Sequence, residues 1–131
     1  MTVAVAHSDT DQGKAALRRA AAEAALHDET LAVLHIVPGS ADPDDFSPGI
    51  ESRVREVLAD RPDLPLEVHV VAEGHSVAGS LVDLATEIDA SLLVIGSRRR
   101  SAVGKLLLGS TVQRVLLDAP MAVLVVKAAD D

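Results

Sequence analysis

A chain of 131 residues, 48% of them hydrophobic, has the size of one domain and enough apolar side chains for a sizeable core. Its formal net charge of -8 and its single aromatic residue, Phe46, oppose nucleic-acid binding, which needs a broad basic surface and stacking platforms. With no Cys, disulfides, thiolate nucleophiles and thiolate metal sites are excluded, and with no apolar run near the roughly 20 residues that span a bilayer, no membrane insertion is expected. The start lacks the basic and then apolar pattern of a secretory signal, so the expected location is the cytoplasm.

The apolar run at residues 3–6 reads as a strand, and the SDTDQG that follows reads as loop and helix N-cap. Residues 14–26 are Ala-rich, with Leu17 set apart from Arg18, Arg19 and Glu23, the pattern of an amphipathic helix. LAVLHIV, residues 31–37, is apolar on both faces, as a strand inside a parallel sheet must be. PGSADPDDFSPG carries two proline–glycine turn signals and three Asp, and is expected to be an irregular exposed loop.

Residues 50–58 return to helical spacing, and 66–72 alternate before turning apolar, which suits a strand nearer the sheet edge. Leu81, Leu84, Ala85 and Ile88 mark one face of a helix over 77–88. Residues 91–95 form another buried strand, ended by Gly96. A basic loop, a helix over 109–117 and a strand from Met121 to Val126 complete the chain. Five strands separated by four helical segments predict one α/β domain over residues 1–131. Its sheet is doubly wound, mainly parallel and right-handed in its crossovers, with helices on both faces.

Sheets of this kind bind ligands beyond the carboxyl ends of their strands. One loop there stands out. GSRRRSAVGKLLLGST places Arg98, Arg99, Arg100 and Lys105 within eight residues of an acidic protein and closes on Gly-Ser-Thr where a helix begins. Free N–H groups, the positive end of the helix dipole and small residues together make an anion site; a solvated loop followed by a plain cap remains the alternative. It is not a P-loop, since Leu106 follows Lys105 where that motif needs Ser or Thr.

The opening VAVAHSDTDQGKAAL, the strand LAVLHIV and above all VIGSRRRSAVGKLLLGSTVQRVLLDAPMAVLVVK resemble the universal stress protein family over essentially the whole chain. The nucleotide-binding branch carries Gly, two residues, Gly, nine residues, Gly, then Ser or Thr. Gly96, Gly109 and Ser110 fall on that spacing, while Arg99 replaces the second Gly and Ala6 replaces an Asp after the first strand. The resemblance implies ATP or a related adenine nucleotide, with Mg only as a companion of the nucleotide. It also implies that Val5, Ala6 and Val37 line the adenosine end, that Gly96 and Ser97 start the phosphate loop, and that Gly109, Ser110 and Thr111 close on the phosphates. Arg99 offers a guanidinium fork to phosphate or a side chain that fills its pocket.

Members of the family are generally dimers joined through their last strands, here Met121 to Val126. The expected function is a nucleotide-responsive regulatory or stress-protection protein acting on an unidentified protein partner. A homodimeric interaction module that does not bind nucleotide is the alternative, and slow ATP hydrolysis comes third because no general base is evident. His35 and His69 fall inside strands and read as core or edge residues. His7 follows the first strand and is expected to meet a bound anion when protonated. No catalytic residue or protein metal site is expected: there is no Gly-x-Ser-x-Gly elbow, and Asp42, Asp44 and Asp45 lack calcium-loop spacing.

Overall fold

The computed structural model describes residues 1–98 and 108–128. Strands and helices alternate: β1 (Thr2–Ala6), α1 (Asp11–Leu26), β2 (Thr30–Val37), α2 (Ser47–Val57), β3 (Leu66–Ala72), α3 (Val77–Glu87), β4 (Leu92–Arg98), α4 (Ser110–Asp118) and β5 (Ala122–Ala128). The strands form one parallel sheet in the order β3-β2-β1-β4-β5, the doubly wound α/β architecture that the alternation predicts.

The two-residue period of the strands sorts their side chains into two cores. Val3, Val5, Leu31, Val33 and Val94 meet α1 and α2 on one face, whereas Ala4, Ala6, Ala32, Leu34, Leu93 and Ile95 meet α3 and α4 on the other. The buried side of α1 is Ala16, Leu17, Ala20, Ala21 and Ala24, so the helix lies close against the sheet with Leu17 as its main anchor. Full burial of that leucine is worth about 2 kcal/mol.

Caps set the helix starts. The Thr10 hydroxyl accepts from the Gly13 N–H at 3.1 Å, which brings residues 11–13 into α1 ahead of the expected start at 14. Ser76 caps α3 in the same way through Gly79. Three expectations need correction. The segment after Val37 is not wholly irregular: residues Pro43–Asp45 form a 3-10 turn capped by Asp42, and α2 begins at Ser47, with Pro48 in its first turn. Gly96 does not end β4, which runs on to Arg98 because it keeps pairing with β5 as far as Ala128. The last strand likewise starts one residue late and ends two residues beyond Val126.

The ladders differ in length. Seven Cα pairs join β2 to β3 and seven join β4 to β5, but only three join β1 to β4: Val3 with Leu92, Ala4 with Leu93 and Val5 with Val94. Past that short seam the two central strands part.

Candidate functional site

The strand order reverses between β1 and β4. From there α1 packs on one face and α4 on the other, so a crevice opens at the carboxyl ends of the central strands. Its volume is about 660 Å³. Ala6, His7, Ser8, Thr10 and Gln12 form one wall, and Ile95, Gly96, Ser97 and Arg98 form the other. Val77 and Leu81 of α3 close a side, and Leu108, Gly109, Thr111 and Val112 bring in the start of α4.

The two glycines of the expected motif are there for different reasons. A Cβ on Gly96 would collide with the backbone carbonyl of Gln12, because the first turn of α1 crosses directly over β4. Gly109 has φ -67° and ψ 163°, a conformation open to any residue, and a Cβ there would meet nothing within 4 Å among the described residues. Neither backbone strain nor crowding by the described residues asks for glycine at 109. It stands as the N-cap of α4 with no side chain to cap the helix, at the positive end of the dipole and beside the cleft.

Ser97 gives a second sign. It is 2% exposed, it lines the cleft, and its hydroxyl has no hydrogen-bond partner among the described residues. A buried hydroxyl left unpaired costs about 1–3 kcal/mol, a cost that a hydrogen-bonding group in the cleft would offset.

Ala6, Gly96, Ser97, Gly109 and Thr111 of the expected set therefore come together around one cavity. Ser110 opens α4 as an exposed residue outside the lining. Val5 and Val37 do not line the cleft. They are 0% and 2% exposed, and Val5 packs under α1 in the core. Arg99, like Arg100 and Lys105, lies outside the described residues. The motif also passes over the apolar side of the cleft, where Leu81 carries the same helical spacing that marks core residues.

His7 departs from its expected role as a cation. Its Nδ1 lies 2.9 Å from Nδ1 of His35, so one ring donates to the other. Burial lowers its pKa from 6.5 to about 4, helped by the neighbouring His35 and Arg53 and opposed by Asp9. His35 is lowered too, first of all by burial. The pair is neutral at pH 7, and His7 meets the cleft as an uncharged ring.

Fold and crevice together define a doubly wound α/β protein with an open switch point, its hydroxyls and a helix N-terminus turned to one cavity. A family profile, described as the Universal stress protein family, matches residues 1–127. The chain belongs to that family. It is 36% identical over 126 residues to a universal stress protein of Mycolicibacterium smegmatis, covering 95% of this chain and 96% of that one. The universal stress protein of Archaeoglobus fulgidus superposes with a TM-score of 0.81 at 32% identity, covering 97% and 98% of the two chains. A structure of the universal stress protein from that organism in complex with dAMP gives 0.76 at 28% identity over the same shares. No helix among the described residues is long and apolar enough to cross a membrane.

Proposed function

We propose that this protein binds an adenine nucleotide, or a related phosphate-bearing anion, in the β1–β4 cleft and works as a nucleotide-responsive regulator in the cytoplasm. The carrying observation is Gly109: it lines the cleft at a helix N-terminus with no side-chain cap, and among the described residues nothing approaches the place of its missing Cβ, which leaves room for a ligand's close approach. The Ser97 hydroxyl, without a partner among the described residues, and Thr111 both line the cleft to meet phosphate or ribose oxygens, and Leu81, Ile95, Leu108 and Val112 offer apolar surface to the rest of the molecule. A volume of about 660 Å³ suits a ligand of nucleotide size. The dAMP complex of the Archaeoglobus fulgidus relative supports an adenine mononucleotide as the ligand.

Occupancy changes the surface beside the cleft, which a protein partner reads. The protein acts as a homodimer through β5, an edge strand whose Val123 and Val125 are only half-buried. Calorimetry with AMP, dAMP and ATP, together with mass spectrometry of small molecules released from protein purified without added nucleotide, tests the ligand. One adenine mononucleotide bound per chain is expected. No released nucleotide and no heat with any of the three would leave the interaction module that binds no nucleotide as the function.

A further inference from the structure

On the α1 and α2 side of the sheet a second cavity, of about 320 Å³, lies against the other side of His7. Lys14 and Arg18 of α1 face Arg53 and Glu56 of α2 across it, with Asp9 of the β1–α1 loop at its rim. It is separate from the nucleotide cleft and opens between two helices that take no part in that cleft beyond Gln12.

The cations here are arranged unlike the other helical arginines. Arg19, Arg55 and Arg114 each stand one turn from an acid, pairing with Glu23, Glu51 and Asp118. Lys14 and Arg18 instead stand one turn from each other, so two like charges share a helix face, and neither forms an ion pair among the described residues. Such a pair disfavours its own helix by a few tenths of a kcal/mol. Arg53, on the facing helix, has among the described residues only a long contact to Asp9, at 3.9 Å. Three cations against two acids thus make a positive concavity on a protein whose net charge is -8. A concavity with an excess of one sign of charge attracts an ion of the other.

We propose that the α1–α2 cavity is a second anion site, which holds a single phosphate group, free or as a small monoester, between Lys14, Arg18 and Arg53. Two guanidinium forks from opposite helices suit the tetrahedral oxygens of phosphate, and Lys14 adds a mobile point charge. Asp9 and Glu56 limit the excess of positive charge, which disfavours a triphosphate. The site stands independently of the nucleotide reading, because none of its three cations lines the cleft.

The test is a titration of 15N-labelled protein with inorganic phosphate at constant ionic strength, following the Arg18 and Arg53 Nε–H signals and the amides of α1. Saturable shifts with a Kd of about 1 mM or tighter are expected. Arg18→Ala and Arg53→Ala, both at exposed positions, should each weaken binding ~10-fold, equivalent to about 1.4 kcal/mol, while Arg55→Ala on the same helix as Arg53 leaves it unchanged. A parallel titration with glycerol phosphate separates the sources: tighter binding than phosphate identifies an ester, and equal binding identifies the phosphate alone. Shifts that never saturate, shifts confined to residues 109–112, or affinity that survives both arginine substitutions would overturn the proposal. Gly109→Ala, which addresses the cleft, should not alter these shifts.

Discussion

Gly96 and Gly109 line one cavity, yet they should respond in opposite ways to the same added methyl. Gly96→Ala drives a Cβ into the Gln12 backbone and is expected to destabilise the fold by about 3 kcal/mol, read from urea unfolding, because backbone cannot yield as a flexible side chain can. Gly109→Ala meets open space among the described residues. Its poorer capping offsets the gain from a stiffer unfolded chain, so stability should hold within about 0.5 kcal/mol. Nucleotide affinity should nevertheless fall ~10-fold by calorimetry, the equivalent of about 1.4 kcal/mol, as the methyl occupies space that the ligand approaches. Unchanged affinity would remove Gly109 from the phosphate contact. Motif spacing singles out both glycines but cannot assign these reasons, since the Gln12 contact joins residues far apart in sequence. The charge state of His7 was equally hidden, because His35 lies 28 residues away.

Elements read from periodicity were legible wherever one pattern dominated. The β3 bounds agree with the structure, and the apolar cores of the other four strands stand where their hydrophobic runs lie. The start of α2 was not legible: Ser47-Pro48-Gly49 reads locally as a turn, but a proline in the first helical turn forfeits no hydrogen bond. The Ser47 hydroxyl, donating to the Pro43 carbonyl at 3.1 Å, adds a tie no local pattern announces. For β5 the sequence poses a question that the topology sharpens, since the strand is apolar, lies at an edge and has its side chains half-buried. An isologous contact between two such strands would pair the open ladder. Light scattering should therefore show a dimer at tens of micromolar, with Val123→Asp or Val125→Asp shifting it to monomer, because each places a carboxylate near its symmetry mate. A monomeric wild type, or a dimer indifferent to both changes, would rule the interface out.

For the molecule as a whole, the half-buried His pair sets a direction for stability against pH. The unfolded chain binds protons at His7 and His35 near pH 6.5, while folded His7 resists until about pH 4 and folded His35 is lowered as well. Between those limits the unfolded state holds more protons. Stability from this source is thus complete above pH 6.5 and is lost as pH falls towards 4. Partial exposure of the rings reduces the effect to on the order of 1–2 kcal/mol. Urea midpoints at several pH values across that window should show the decline, and His7→Asn should flatten it; an equally steep decline in the variant would place its origin elsewhere. The short β1–β4 seam has a mechanical consequence. Three pairs join a half built from β3, β2 and β1 to a half built from β4 and β5, with α1 laid across the join against β1, β4 and β5. The cleft opens along that same line, so an occupant would touch both halves where the ladder that joins them is shortest. A ligand held there would brace the joint from both sides, and an empty cleft would leave it as the line along which the two halves are least tied.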